Sequence, residues 1–77
     1  MQRVIQTYII EPMKYSELER KIKKHTKSHL LRRGKRHPVW INEDTGDTFE
    51  MSNHPSEEVA SGTLKNIMRL SGLDKYI

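Results

Sequence analysis

The apolar positions of this chain fall into short sets of different spacing that predict a helix, three strands and a second helix. Ser16-Glu17-Leu18-Glu19 has the form of a capping box, the serine accepting from the third helical amide and Glu19 reaching back, so the first helix is predicted to start there. Leu18 and Ile22, four residues apart, give that helix one narrow stripe to bury. The spacing stops between His25 and Ser28, where Thr26 and Ser28 favour turn or extended backbone. Residues 28–33 read as a first strand around Leu30 and Leu31, closed by Gly34, and residues 37–42 as a second. Residues 43–47 form a hairpin loop in which Gly46 supplies a positive φ, and residues 48–52 return as a third strand. After a polar connection over residues 53–60, Ser61 is placed to cap a helix whose Leu64, Ile67, Met68 and Leu70 face the sheet. Gly72 suits the left-handed residue beyond its end, with Leu73 closing back on the last turn. The predicted class is α+β, in the order α-β-β-β-α. Its three-stranded antiparallel sheet carries two helices on one face, the layout of double-stranded-RNA-binding domains.

Residues 1–12 stand apart from this pattern. Val4, Ile5, Tyr8, Ile9 and Ile10 are β-prone and Pro12 breaks the chain before the first helix, so an extended arm that adds an edge strand is expected. The arm is either a genuine extension of the domain at residues 13–77 or the product of an upstream start codon.

With 77 residues the chain is one domain. A domain so short buries only about 60% of its unfolded surface, so its core is small and such domains are often completed by a partner. The absence of cysteine excludes a disulfide framework and a thiolate metal site and fits a reducing cytoplasm. No apolar run approaches the roughly 20 residues of a membrane span, and residues 1–12 lack the marks of a signal peptide. A cytoplasmic protein with no membrane partner is expected. No spacing of His, Asp and Glu resembles a metal site, so no metal or cofactor is expected; Asp44, Asp47 and Glu50 read as turn and solvent-face residues.

Charge changes the picture more. The net charge is +4, and Lys21, Lys23, Lys24, Lys27, Arg32, Arg33, Lys35 and Arg36 crowd one stretch, whereas acids gather at Glu43, Asp44, Asp47, Glu50, Glu57 and Glu58. A one-sided basic stretch attracts phosphate backbones through counterion release, and acidic proteins as well. The plain alternative is a solvated charged face.

His37 sits within this stretch. Cleaving RNA without a metal needs a base for the ribose 2′-proton and cations to hold the charge that develops on the phosphate. Imidazole suits the first task, since its ordinary pKa of about 6.5 lies near working pH. Lys35 and Arg36 suit the second. Pro38 pushes the preceding residue to extended geometry and stiffens it. Trp40, three residues on, would point away from His37 in a regular strand and reads as the main core aromatic rather than a stacking platform for a base. Val39 and Ile41 share the His37 face, so alternation requires either a bulge near Pro38 or two half-covered faces. His54, after the third strand, is a candidate for RNA binding or for the acid at the leaving oxygen, and otherwise an exposed loop residue; His25 and His29 rank lower. The Gly62 and Thr63 amides open a helix and suit capping before phosphate binding.

Two words in order, Gly34-Lys35-Arg36-His37-Pro38-Val39-Trp40 and then Ser61-Gly62-Thr63-Leu64-Lys65-Asn66-Ile67-Met68 with Gly72 and Leu73 beyond, resemble the HicA family of toxins, over about residues 13–73. In that family a histidine in a Gly-x-x-His-x-x-aromatic or Gly-Ser-His stretch is catalytic, and a Gly-Thr-Leu stretch starts the last helix. The chain departs from the commoner pattern at Pro38 and at Arg36, where the short motif has serine, and both fit the longer Gly-x-basic-His variant. The resemblance implies a toxin that cleaves mRNA independently of translation, with His37 catalytic and Lys35, Arg36, Arg32, Arg33 and His54 binding RNA. It also implies a HicB-like antitoxin over the basic face, and any oligomer is expected only through that partner. The rivals are a non-catalytic RNA-binding module of the same fold and a small basic DNA-binding or adaptor protein.

Overall fold

Trp40 and Phe49 stand opposite one another on neighbouring strands, their ring centroids 6.4 Å apart, and mark the inner face of the sheet. The computed structural model describes residues 12–76, so the expected arm lies, but for Pro12, outside the described residues. Helix α1 (Tyr15–His25) leads into β1 (Ser28–Arg32), β2 (Val39–Asn42) and β3 (Thr48–Glu50), followed by α2 (Ser61–Ser71) and a short 3₁₀ turn over Leu73–Tyr76. The strands pair antiparallel in the order β1-β2-β3, giving the expected α-β-β-β-α arrangement.

Both helices cover the Trp40 face. Leu18 and Ile22 from α1, and Leu64, Ile67 and Met68 from α2, join Trp40, Phe49, Met51, Val59 and Leu73 in one core. Leu18, Ile22 and Leu73 are wholly excluded from solvent, and each such side chain contributes about 1.5–3 kcal/mol. The opposite face carries Val39 and Ile41, both half-buried. The two half-covered faces follow, and the irregularity falls in β1, where the pairing steps from Leu30–Trp40 to Arg32–Val39.

Several boundaries move. The Ser16–Glu19 capping box is not formed: α1 starts at Tyr15 after Lys14, with no side-chain cap. Its first amides are taken by the loop before α2, Tyr15 N–H donating to Glu57 O and Ser16 N–H to Pro55 O, both at 3.0 Å. A tertiary contact thus replaces the local one. Ser61 does not cap α2 either, since Ala60 occupies the N-cap and its carbonyl accepts the Leu64 amide at 2.8 Å. Thr26 does end α1, its hydroxyl donating to Ile22 O at 2.8 Å and accepting the Ser28 amide at 3.0 Å. Strand β2 begins at Val39 instead of His37, and β3 stops at Glu50 rather than residue 52.

The far end of α2 is tied to the sheet. Ser28 and Asn42 pair across β1 and β2 and are both buried. Ser28 Oγ donates to Ser71 O at 2.9 Å and Asn42 Nδ2 to Leu70 O at 3.0 Å, answering carbonyls that a helix leaves open. Gly72 then turns the chain with φ +87°.

Candidate active site

The His37 loop is built on one glycine. Gly34 has φ +66°, and a Cβ there would collide with the His37 carbonyl oxygen, so only glycine lets the chain fold back over residues 34–37. Two bonds pin the loop from the segment just after β3: Asn53 Nδ2 donates to Arg36 O at 2.6 Å, and Met51 N–H donates to Pro38 O at 3.0 Å. Pro38 itself is buried. The imidazole is left in solvent on a fixed backbone, with its side chain 52% exposed.

Beside it stands a carboxylate. Glu50 lies across from Val39 in the hairpin, and its Oε1 is 3.7 Å from His37 Nδ1. That is ion-pair range but longer than a hydrogen bond. His37 and Glu50 share an open concavity of about 560 Å³ with Arg32, Lys35 and Arg36, above Gly34 and Val39. Of the cations expected at the site, three are brought to the histidine.

Arg33 is not one of them. It lines a different hollow, of about 250 Å³, with Glu19, Lys23, Trp40 and Asn53. His54 is exposed in the loop after β3, its amide donating to Ser52 Oγ at 2.9 Å, and it lines neither hollow that His37 lines. Part of the basic run is neutralised: Lys23 pairs with Glu19 at 3.0 Å and lies over Trp40, and Lys27 reaches Asp44 at 4.0 Å. Arg32, Arg33, Lys35 and Arg36 form no ion pair among the described residues.

Two residues at the site lie outside the set expected from the sequence, Glu50 and Asn53. Glu50 is exposed, as expected of a solvent-face residue, and the hairpin register that sets it opposite Val39 also brings it to His37. Asn53 carries no sequence signal for its bond to Arg36.

His29 is the other histidine on the open face. Its Nε2 is 2.5 Å from Glu43 Oε2, and its Nδ1 is 3.2 Å from Leu30 O. With an acceptor at each ring nitrogen the imidazolium is favoured, and the bond to Glu43 raises its pKa above the ordinary value. At the opposite edge of the sheet, burial and then the Glu57 charge raise the Tyr15 phenol. Among the described residues no three His, Asp or Glu side chains group as metal ligands, and no helix is long and apolar enough to cross a membrane.

Fold and site together describe a small basic α+β domain presenting a histidine and a carboxylate among cations that have no ion-pair partner among the described residues. Comparison of the chain with protein-family models, with curated proteins and with solved structures finds no match.

Proposed function

We propose that this chain is a HicA-like ribonuclease toxin that cleaves mRNA in the cytoplasm without a metal, using His37 as the base. The observation that supports this most is the placement of His37 on the rigid Gly34 turn, exposed within one concavity beside Arg32, Lys35 and Arg36. The imidazole takes the proton of a ribose 2′-hydroxyl, and the 2′-oxygen forms a bond to the adjacent phosphorus as the bond to the 5′-oxygen breaks. The departing oxygen takes a proton from water, because His54 lies outside the concavity. The cations hold the extra negative charge on the phosphate in the transition state. Products are a 2′,3′-cyclic phosphate and a 5′-hydroxyl.

A HicB-like antitoxin restrains the enzyme in this proposal by covering the basic concavity, and any oligomer forms only through that partner. Induced expression of wild type and His37→Ala tests it. Wild type should arrest growth and degrade mRNA, and purified protein should cut RNA in EDTA; His37→Ala should stay folded and lose roughly 10²–10⁴-fold in rate. Growth arrest by folded His37→Ala at normal abundance would overturn the assignment, and RNA binding without cleavage by wild type would favour the non-catalytic module.

A further inference from the structure

His37 and Glu50 line two hollows at once, and the two differ in charge. On one side is the basic concavity with Arg32, Lys35 and Arg36. On the other an open groove of about 440 Å³ runs between β3 and α2, within the roughly 300–1,000 Å³ of small-molecule sites. Among the described residues no lysine or arginine lines this groove. Its charges are Glu50 and Glu57, and its floor is Phe49, Met51 and Ile67, all three buried. Phosphates are drawn to the first hollow and repelled by the second. A nucleotide held at His37 has an uncharged end for the groove to take, its base.

Glu57 is fixed to meet that base. Its Oε1 accepts from Ser52 Oγ at 2.7 Å, and Ser52 Oγ accepts the His54 amide at 2.9 Å. Its backbone is held too, the N–H donating to His54 O and the carbonyl accepting from Tyr15 N–H, both at 3.0 Å. Oε2 has no hydrogen bond or ion pair among the described residues. On the α2 side of the groove Asn66 Oδ1 accepts from Arg69 Nη2 at 2.6 Å, which leaves the Asn66 Nδ2 to donate.

Single-stranded RNA is read by hydrogen bonds to the Watson–Crick edges of splayed bases. A carboxylate accepts two parallel N–H bonds. Guanine alone among the RNA bases offers two adjacent donors on that edge, N1–H and the N2 amino group, with an acceptor, O6, beside them. Adenine and cytosine set one donor next to an acceptor that a carboxylate repels, and uracil sets one donor between two acceptors. We propose that the groove between β3 and α2 is a base subsite for guanine, with N1–H and the N2 amino group on the Glu57 carboxylate and O6 on the Asn66 amide. Its place in the reaction rests on the ribonuclease reading: the 2′-hydroxyl that His37 deprotonates belongs to the nucleotide whose base fills the groove, so the chain is cut on the 3′ side of guanosine.

NMR titration of the full chain with guanosine, adenosine, cytidine and uridine 3′-monophosphates tests the subsite without any cleavage. The guanosine nucleotide should bind about tenfold more tightly than the other three and shift the Phe49, Met51 and Asn66 amides. Glu57→Gln should remove most of that preference without weakening the uridine nucleotide, and Asn66→Ala, at an exposed helical position, should lower it severalfold. Equal affinities in the wild type, or an unchanged preference in both variants, would overturn the subsite. Cleavage of oligonucleotides then separates it from the reading it rests on. Cutting 3′ of guanosine is expected. Cutting with no base preference would overturn the subsite and leave the ribonuclease, whereas no cutting, with the guanosine preference intact in the titration, would overturn the ribonuclease and leave the subsite.

Discussion

His37 and Glu50 are thirteen positions apart in the chain, and the β2–β3 hairpin brings Nδ1 of one to within 3.7 Å of Oε1 of the other. Under the proposed function the carboxylate has two opposed effects. Its charge lies within ion-pair range of the ring, and it repels the substrate phosphate. Glu50→Gln should therefore lower kcat about tenfold or less, well short of the loss in His37→Ala, while tightening RNA binding. Steady-state kcat and KM separate the two effects. Unchanged values of both would make Glu50 a solvent carboxylate only.

Gly34 and Gly46 offer a matched pair. Both have positive φ, +66° and +81°, so alanine at either costs about 1–2 kcal/mol of backbone strain. A Cβ at Gly46 meets nothing within 4 Å, whereas at Gly34 it strikes the His37 carbonyl. Gly34→Ala should be the less stable protein in urea titration and should lose most of its RNA cleavage. Gly46→Ala should keep its activity. Equal activity in the two variants would separate the Gly34 turn from the function of His37.

The His29–Glu43 pair predicts a pH dependence. Its bond to Glu43 raises the folded-state pKa of His29, so its contribution to stability is fully present below the unfolded value near 6.5 and is lost as pH rises through the higher folded value. Proton NMR should place the His29 titration above 6.5, and Glu43→Gln should bring it down. An unmoved midpoint in Glu43→Gln would show that the carboxylate does not set it.

The division of the arginines predicts a difference in salt dependence. Arg32 shares the concavity with His37, Lys35 and Arg36, while Arg33 lines a separate hollow. Arg32→Gln should lower the log-log salt slope of single-stranded RNA binding by about 0.7, the loss of one phosphate contact. Arg33→Gln should change it less. Lys35→Gln with Arg36→Gln should lower both the slope and the rate on saturating RNA. An unchanged slope in every variant would mean that RNA binds elsewhere.

The spacing of apolar residues, the turn glycines and Pro38 by themselves determined the element order, the antiparallel sheet, Trp40 as a core residue and the left-handed Gly72. Each depends on interactions within a few residues, or on a period that one face must satisfy. His37 with Lys35 and Arg36 was legible for the same reason, since neighbours in one short loop stay neighbours after folding.

What only the tertiary structure decided lies between segments. The capping signals at Ser16 and Ser61 lost because the carbonyls of Glu57 and Pro55 reach the α1 amides and Ala60 takes the cap of α2. Such competition depends on where a distant loop comes to rest, which local propensity does not encode. Glu50 joined His37 through strand register, Asn53 clasped the loop through a side chain, and Arg33 lines a different hollow from Arg32. Ser28 and Asn42 look like ordinary polar residues in the sequence. Only packing α2 onto the sheet buries them against the Leu70 and Ser71 carbonyls, where a lone polar group would otherwise cost about 1–3 kcal/mol.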